Sequence, residues 1–473
     1  MESAGAAVAE EIHVLYKEKK KRIGILVGPG NNGADGMVVA RILKRKGFTN
    51  LRCIFVGKKE TPSELWTRQW QKAVNSGVAF LSLSLERSKF ELSECDLIVD
   101  AIFGTGLSKT LSEEVLALIH FVNERKTPVI AVDTPTGLNV DTGWEHGAAM
   151  KASVTVTFAL AKPGFFVARG PRHVGKLKIH RIGFPTELLR QESGTFFAFG
   201  GKATRRLLPW PEETSNKADH GRVHVVAGSD EFPGAAVLVT RAAGRCGAGY
   251  VYLSSFSNLY REILQVPEVI FQPAAQMKFS RREENTVFVV GPGLGVNDNT
   301  KKIIVDLKRS GFENVVLDAD ALTVCSQENL WPLPKTWIIT PHSGEMGRIL
   351  SCTAAEVNAN RCAVAMSAAK KCGCVVLLKG FRTVVADQEK AIVILAGNAA
   401  LGKAGSGDVL AGFIGALRGQ KMDAMAAACC AAYIHGRLAD EWLKAEKDIL
   451  ALMPSDLYEL VPTLLKKLRI AAN

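Results

Sequence analysis

The residues Gly405-Ser406-Gly407-Asp408 open an apolar helical pattern and carry the strongest chemical signal of the chain. Glycines at a helix start leave consecutive backbone N–H groups free to bind an anion such as a transferring phosphoryl group. An aspartate in the first turn can accept the proton of an attacking hydroxyl. The alternative is that Asp408 only adds a favourable charge at a helix N-terminus. The pattern predicts phosphoryl transfer, with Asp408 as the candidate base.

A competing motif precedes it, because Gly397 to Lys403 formally reads as the GxxxxGK of a P-loop. A P-loop needs Ser or Thr next, whose hydroxyl binds magnesium. Ala404 stands there instead. A P-loop is therefore not predicted.

Four further polar or glycine-rich segments of this half each follow a predicted strand: Gly291–Gly295, Asp318–Leu322, Thr340–Glu345 and Leu378–Gly380. The carboxyl ends of parallel strands form the ligand crevice of an open α/β sheet. A lone histidine is more often structural than functional. The position of His342 between a strand end and a helix start favours a ligand contact.

In the N-terminal half, the loop from Gly28 to Gly36 lies between a strand and a helix and formally satisfies GxGxxG. Its glycines allow close backbone approach to a phosphate. A dinucleotide-binding dehydrogenase also needs an acid at the end of the next strand. That strand ends Phe55-Val56-Gly57-Lys58, so a standard NAD dehydrogenase is disfavoured.

Two more strand ends of this half supply Asp100 and the segment from Asp133 to Thr136. Oxygens of Asn32, Asp100 and Thr136 can surround a hard cation, while Asp35 or Asp133 contacts ligand hydroxyls. The alternative is that each aspartate merely caps the following helix.

Alternating β-branched runs and helical periodicity must position these residues. In the first half we predict strands at Ile23–Val27, Leu51–Val56, Leu97–Asp100, Val129–Val132 and Val154–Phe158, with helices near 37–46, 63–76 and 111–125. In the second half we predict strands at Val223–Val226, Val251–Leu253, Val287–Val290, Val315–Leu317, Trp337–Ile339 and Val375–Leu378, with helices near 234–246, 355–371, 407–418 and 421–438. The pattern is that of two α/β domains, 1–192 and 193–473, the first a doubly wound parallel sheet.

Composition narrows the class of protein. The chain has 473 residues and a net charge of +12, but its basic residues are dispersed. The densest run, Lys19 to Arg22, is expected to end an amphipathic helix rather than to bind nucleic acid. The ten cysteines lack zinc or disulfide spacing. No membrane span or signal peptide is predicted, so we expect a cytoplasmic protein without membrane or nucleic-acid partners.

The motifs GPGNNGADG, DAIFGTGL and DTPTG resemble, in this order, those of the NAD(P)H-hydrate epimerase domain, the YjeF N-terminal family, over about residues 1–190. The resemblance implies a Rossmann-like fold with K+ held by Asn32, Asp100 and Thr136. It implies hydrate contacts at Asn31, Asn32, Gly33, Ala34, Asp35, Gly104, Thr105, Gly106, Leu107, Ser108, Lys109, Thr110 and Asp133. Thr136 stands where the family usually has Ser. The family also has several dozen residues ahead of the motif near Met1, so a shortened N-terminus is expected.

The C-terminal motifs, together with Lys217 to Val223, resemble the ADP-dependent NAD(P)H-hydrate dehydratases, a ribokinase-like family, over about residues 196–470. The resemblance implies Asp408 as the catalytic base, which also contacts the hydrate, and Mg2+ bound with ADP or ATP. It implies hydrate contacts at Ala235, Gly295 and His342, and nucleotide contacts at Lys379, Gly380, Phe381, Arg382, Thr383 and Gly407. Two residues of the nucleotide loop that the resemblance implies depart from the family pattern: Ala400 replaces a usual glycine, and Lys403 replaces a usual small residue.

The two resemblances together imply a bifunctional repair enzyme. Its first half would epimerise (6R)-NAD(P)HX to (6S)-NAD(P)HX, and its second half would dehydrate the latter to NAD(P)H, which makes the chain both an isomerase and a lyase. They also imply a homo-oligomer of four or more chains. Two alternatives stay open: a ribokinase-like kinase for another small molecule, and a first half that only binds its ligand.

Overall fold

The computed structural model describes residues 1–57, 63–82, 84–107, 109–191, 194–277 and 286–470. Ser108, one of the predicted contact residues, lies outside them. The chain divides into two compact units, Met1–Ser193 and Gly194–Asn473. The boundary expected from the sequence fell between 192 and 193.

The described strands of the first unit are β1 (Ile23–Val27), β2 (Leu51–Phe55), β3 (Phe80–Leu81), β4 (Leu97–Ala101), β5 (Val129–Val132), β6 (Val154–Phe158) and β7 (Lys176–His180). Its helices are α1 (Glu2–Leu15), α2 (Asn31–Arg45), α3 (Glu64–Asn75), α4 (Leu85–Ser93), α5 (Glu113–Asn123), α6 (Gly170–Val174) and α7 (Thr186–Gln191).

The strands of the first unit form one parallel sheet in the order β3-β2-β1-β4-β5-β6-β7. Strands β2 and β3 lie on one side of β1 in the sheet, and the later strands, beginning with β4, lie on its other side. The order of strands therefore reverses between the neighbours β1 and β4. Ligand crevices form at such a switch point, outside the carboxyl ends of the strands. Strands β1, β4 and β5 are buried throughout because they are apolar on both faces and helices cover both sides. The doubly wound α/β fold is confirmed.

The described strands of the second unit are β8 (Phe196–Phe199), β9 (Arg222–Val226), β10 (Tyr250–Ser254), β11 (Ile270–Phe271), β12 (Thr286–Val290), β13 (Val315–Leu317), β14 (Ile338–Ile339), β15 (Val375–Leu378), β16 (Val384–Ala386) and β17 (Ala391–Ile394). Its helices are α8 (Gly201–Leu207), α9 (Pro233–Arg245), α10 (Tyr260–Ile263), α11 (Asp298–Arg309), α12 (Asp320–Gln327), α13 (Ser343–Leu350), α14 (Ala354–Ala359), α15 (Arg361–Cys372), α16 (Ser406–Gly419), α17 (Ala424–Lys444) and α18 (Pro454–Ile470).

The strands of the second unit lie in the order β11-β10-β9-β12-β13-β14-β15-β16-β17-β8. The run from β11 to β15 is parallel, whereas β16 pairs antiparallel with β15 and β17. Helix α16 packs closely on this sheet and on α9, since a Cβ added at Gly412 would lie 2.4 Å from the Val239 carbonyl oxygen. Because Gly412 has no side chain, α16, the helix that carries Asp408, can pack this close to α9.

Three expectations about elements were wrong in detail. The basic run Lys19–Arg22 follows the end of α1 at Leu15 and lies in the turn before β1. The predicted helix 355–371 is two helices, because Asn360, with φ of −148° and ψ of 71°, leaves the helical conformation and its side chain caps the second helix. Helix α17 begins at Ala424 and not at 421, because the side chain of Asp423 caps the first turn by accepting from the Ala426 amide.

All ten cysteines have free thiols, and all but Cys352 are buried. Burial raises the pKa of Cys53, Cys246 and Cys325 to about 12. No helix among the described residues has the length and apolar character needed to cross a membrane.

Candidate active sites

A cavity of about 720 Å³ lies at the switch point of the first unit. It gathers residues from the ends of β1, β2, β4 and β5: Pro29, Gly30, Asn31, Asn32, Asp35, Gly57, Ile102, Phe103, Gly104, Thr105, Gly106, Leu107, Lys109, Thr110, Leu111, Ser112, Val115 and Asp133. Most of the predicted hydrate contacts are among them. Gly33 and Ala34 are predicted contacts that do not line the cavity, because they pack beneath the loop.

Close packing explains the glycines of the first loop. A Cβ at Gly28 would lie 1.9 Å from the carbonyl oxygen of Ile102, and a Cβ at Gly33 would lie 1.9 Å from that of Gly28. The indole nitrogen of Trp66 donates to the Gly28 carbonyl at 3.1 Å. Close contacts between backbone atoms thus fix the loop from Gly28 to Gly33. Helix α2 begins within this loop, at Asn31, which lines the cavity.

Asp100, at the end of β4, is fully buried and bonded to Thr136. The Thr136 hydroxyl donates to Oδ1 at 2.6 Å and the Thr136 amide to Oδ2 at 2.7 Å. Burial raises the pKa of Asp100 to about 6, and the bonds from Thr136 offset only part of this effect. The helix-cap alternative for Asp100 does not describe this geometry, in which the carboxylate ties two strand ends together.

Asn32 lies beside this pair, joined to it through Phe103 and Gly104. The Phe103 amide donates to the Thr136 hydroxyl oxygen at 3.1 Å, while a Cβ at Gly104 would lie 3.4 Å from Asn32 Oδ1. The Asn32 amide nitrogen is buried and has no hydrogen-bond partner among the described residues.

The set of oxygen ligands fits a monovalent cation. It offers the buried carboxylate of Asp100, the hydroxyl oxygen of Thr136 and the side-chain carbonyl oxygen of Asn32, which are hard ligands with a single negative charge among them. The described residues contain no group of three or more His, Cys, Asp or Glu side chains that could hold a metal such as zinc.

Two more carboxylates of the cavity have different surroundings. Asp133 has a left-handed backbone, with φ of 63°, and its Oδ1 accepts from Lys162 Nζ at 2.6 Å and from Thr157 at 3.0 Å. Burial raises the pKa of Asp35 to about 7, and Asp133 adds to the shift. Lys162 was not predicted as a site residue. Its position shortly after β6, in Ala161-Lys162-Pro163-Gly164, only weakly indicates a functional side chain.

In the second unit, the predicted segments meet at the carboxyl edge of the sheet. A Cβ at Gly291 would lie 2.0 Å from the Asp318 carbonyl oxygen, and the Lys379 amide donates to the Pro341 carbonyl at 2.8 Å. A Cβ at Gly407 would lie 3.3 Å from Lys379 Nζ and 3.7 Å from Asp318 Oδ2. The strand-end loops and the start of α16 therefore form one site.

Helix α16 presents its first turn to that site. Gly405 caps it with φ of 88°, a left-handed conformation that glycine adopts without strain. Asp408 is half-buried, and no described residue donates a hydrogen bond to its carboxylate. The pKa of Asp408 is raised to about 7, chiefly by burial and also by the charges of Asp318 and Asp320, while Lys379 opposes the rise. A carboxylate with this pKa is suited to accept a proton near neutral pH.

Lys379 lies between acidic groups. Its ammonium is 2.7 Å from Asp318 Oδ1 and 3.9 Å from Glu345 Oε2. Burial lowers the pKa of Lys379, but these two carboxylates outweigh it and the net pKa is raised, so the side chain stays charged. Asp318 itself is almost completely buried, with 1% exposure.

His342 is both a helix cap and an accessible side chain. Its Nδ1 accepts from the amides of Gly344 at 3.0 Å and Glu345 at 3.3 Å, while Glu345 Oε2 accepts from the His342 amide at 2.8 Å. Because Nδ1 is an acceptor, the proton of the neutral ring is on Nε2. The side chain is 55% exposed, so Nε2–H can donate to a ligand.

The predicted hydrate contacts Ala235 and Gly295 lie on neighbouring loops. Ala235, in the first turn of α9, approaches the β12 loop, since a Cβ at Gly293 would lie 3.0 Å from its Cβ. The Gly295 amide donates to Asp320 Oδ2 at 2.9 Å. Both residues thus lie on the segments that follow β9 and β12.

Arg361 holds the start of the predicted nucleotide loop, 379–383, through hydrogen bonds to its backbone. This buried guanidinium donates to the carbonyls of Leu378 at 2.9 Å and Lys379 at 3.0 Å. Gly380 and Arg382 both have positive φ, 146° and 56°, and Phe381 is exposed. Burial lowers the pKa of Arg361 to about 10. The sequence gave no sign of this role, because Arg361 begins a helix of otherwise ordinary pattern.

The GxxxxGK segment is not a P-loop in the structure. Its Lys403 lies near Met453 Sδ at 3.6 Å, and α16 does not begin until Ser406. Asp440 instead fixes the segment from α17, accepting from the Gly397 amide at 3.2 Å and from Asn398 Nδ2 at 3.0 Å.

Both units are similar to known protein families. Residues 1–164 match the family described as YjeF-related protein N-terminus, and residues 223–463 match NAD(P)H-hydrate dehydratase. The bifunctional NAD(P)H-hydrate repair enzyme Nnr of Thermofilum pendens is 31% identical, with 99% of this chain and 92% of that protein covered. This chain belongs to the bifunctional NAD(P)H-hydrate repair enzymes. The predicted family, and with it the combination of an isomerase and a lyase, is confirmed.

Solved structures support the fold of the second unit. The ADP/ATP-dependent NAD(P)H-hydrate dehydratase of Bacillus subtilis, co-crystallised with ATP and Mg2+, is 28% identical with a TM-score of 0.52 over 57% of this chain and 98% of that one. A ribokinase-like superfamily protein of Enterococcus faecalis matches at 22% identity with a TM-score of 0.52, over 58% of this chain and 96% of that one. The ribokinase-like fold of this unit of the repair enzyme is confirmed.

Proposed function

We propose that the second unit dehydrates (6S)-NAD(P)HX with Asp408 as the base, and that the first unit supplies this epimer from (6R)-NAD(P)HX. The observation that supports this most is the position of Asp408. It is a carboxylate with a pKa of about 7 in the first turn of a glycine-capped helix, at the edge of the sheet where the strand-end loops meet.

In the dehydration, the hydroxyl oxygen at C6 attacks the terminal phosphorus of the nucleotide and its proton passes to Asp408. The bond between that phosphorus and the leaving nucleotide oxygen breaks. Phosphate then leaves C6 with the electron pair of the C–O bond, a proton leaves C5, and the double bond of the reduced ring is restored. Free amides at the start of α16 stabilise the charge of the transferring group.

The nucleotide is proposed to bind along 379–383 and at Gly407 together with Mg2+, since the Bacillus subtilis dehydratase was co-crystallised with ATP and Mg2+. The hydrated ring is proposed to contact Ala235, Gly295 and His342. The His342 ring accepts at Nδ1 and can therefore donate from Nε2 to the carboxamide or hydroxyl of the hydrated ring.

For the first unit, we propose that K+ is held by Asn32, Asp100 and Thr136 and that the hydrate occupies the cavity of about 720 Å³. A bound cation would offset the charge of the buried Asp100 and attract the pyrophosphate. Asp35 and Asp133 face the same cavity and would contact the substrate. We also propose a homo-oligomer of four or more chains, which light scattering tests.

The deciding experiment incubates the purified chain with mixed NADHX epimers and ADP or ATP, and follows the recovery of NADH by its absorbance. Full conversion of both epimers supports both activities. Conversion of the (6S) epimer alone would leave the first unit as a binding module. Phosphorylation of another small molecule, with no recovery of NADH, would favour the kinase alternative.

A further inference from the structure

Asp318 makes contacts that none of the roles above explains. It follows β13, is 1% exposed, and accepts at Oδ1 from Lys379 Nζ at 2.7 Å and from the Ala319 amide at 2.9 Å. Its second oxygen, Oδ2, faces the first turn of α16, 3.7 Å from the point that a Cβ on Gly407 would occupy. A buried carboxylate is costly unless it is paired, so this pair must be kept for a reason other than simple stability.

The pair lies beside Gly407, the residue that precedes the base. Lys379 Nζ is 3.3 Å from the point that a Cβ on Gly407 would occupy. Without Asp318, the carboxylate that stays paired with this ammonium would be Glu345, which is more distant at 3.9 Å. The positive charge near Asp408 would then be less fully offset. A weaker base would result, because a neighbouring cation favours the ionised form of a carboxylate.

We propose that Asp318 is a positioning residue for the dehydration: it anchors the Lys379 ammonium at the start of α16 and supplies the negative charge that keeps Asp408 an effective proton acceptor. This inference rests on the proposed role of Asp408.

The other charged groups around Asp408 are few. Asp320, at the start of α12, has the same sign as Asp318 but is bonded to the Gly295 amide. Glu345, on α13, faces Lys379. On α17, His435 lies 3.3 Å from Ser406, and burial lowers the pKa of its ring to about 4, so it is neutral above pH 5. Asp318 and Lys379 are therefore the pair whose charges act most directly on the base.

The test compares the pH profiles of kcat/KM for (6S)-NADHX in four proteins: wild type, Asp318→Asn, Lys379→Gln and the double variant. In the wild type, kcat/KM falls as pH drops through about 7, because Asp408 must be ionised to accept a proton. Asp318→Asn removes a like charge and should move this midpoint down by roughly 1 pH unit. Lys379→Gln removes an opposite charge and should move it up by a similar amount.

The double variant removes both charges and leaves neither buried partner unpaired. Its midpoint should lie below that of Lys379→Gln and close to that of the wild type. If Asp318→Asn does not fold, the difference between Lys379→Gln and the double variant still isolates the charge of Asp318. Asp423→Asn, which changes the cap of α17 away from the site, is the matched control and should leave the midpoint unchanged.

Lower activity with the wild-type midpoint in every variant would overturn the proposal and leave Asp318 a packing residue. If instead the proposed role of Asp408 is wrong, Asp408→Asn will keep its activity, and its kcat/KM will still fall at low pH. Measuring Asp408→Asn beside the other variants therefore distinguishes the two failures.

Discussion

At the scale of single residues, the chemistry of the second unit depends on the proton affinity of Asp408. We expect Asp408→Asn to lower the rate of dehydration by about 10²- to 10⁴-fold, because the amide cannot accept the hydroxyl proton. Recovery of NADH from purified (6S)-NADHX measures this, and circular dichroism checks the fold. Asp423→Asn should behave as wild type. A variant at position 408 that keeps more than half of the turnover would exclude the residue as base.

The same carboxylate should reduce stability at high pH. Its pKa rises from 3.8 in the unfolded chain to about 7 in the folded one, so its contribution to stability is complete below pH 3.8 and is lost as pH rises through 7. Asparagine is neutral at every pH. We therefore expect Asp408→Asn to raise Tm at pH 8 by about 2–6 °C, and by much less at pH 5, in scanning calorimetry. An equal Tm difference at both pH values would contradict this.

Sequence reasoning was strong where function is local and weak where it depends on pairs of distant residues. Gly405 to Asp408 are contiguous, so their chemistry was visible in one segment. Asp318 and Lys379 are 61 positions apart, and Asp133 and Lys162 are 29 apart, so only folding brings each pair together. A propensity scale contains no information about such pairs.

At the scale of elements, three strand ends of the first unit assemble one candidate cation site. We expect Asp100→Ala to abolish the dependence of epimerisation on K+, because the carboxylate is the only full negative charge of the proposed ligand set. Epimerisation is measured by coupling to excess dehydratase while K+ is titrated against Na+. Asp96→Ala, which changes an exposed carboxylate at the other end of β4, is the control. Unchanged activation by K+ in Asp100→Ala would exclude the site.

Helix α17 should control nucleotide affinity from outside the binding loop. Asp440 orders Gly397 and Asn398 ahead of α16, so Asp440→Ala should raise the KM for the nucleotide about tenfold with a smaller effect on the hydrate. Steady-state kinetics with each substrate varied in turn will separate the two effects. Glu441→Gln, at the next position and in a surface network with Lys467, should change neither KM. Equal increases in both would indicate a general loss of packing.

Strands with a run of β-branched residues were predictable. Strands β1, β5, β6, β13 and β15 have the bounds expected from their β-branched runs. The two-residue strands β3 and β11 and the five-residue β7, whose sequences Phe-Leu, Ile-Phe and Lys-Leu-Lys-Ile-His lack such a run, were not predicted. The cap of α13 was also hidden, because histidine rarely replaces Ser, Thr, Asn or Asp as the residue that accepts from the first amides of a helix.

At the scale of the whole molecule, two separate units imply separable activities. In a mixture of both epimers, we expect Asp100→Ala to convert the (6S) fraction at the wild-type rate and then slow to the rate of spontaneous epimerisation. Adding Asp408→Asn protein should restore full conversion, since each variant keeps the unit that the other lacks. Absorbance of the reduced ring follows both phases. A mixture that remains incomplete would show that the two activities must reside in one chain.

The burial of nine cysteines has a consequence for the durability of the enzyme. Oxidants and alkylating agents react with thiolates, and a thiol with a pKa near 12 forms almost none at neutral pH. The folded chain should therefore take up about one equivalent of iodoacetamide, at the partly exposed Cys352, and the denatured chain ten. A protein that restores damaged reducing cofactors would in this way keep working under the oxidising conditions that inactivate enzymes with reactive thiols.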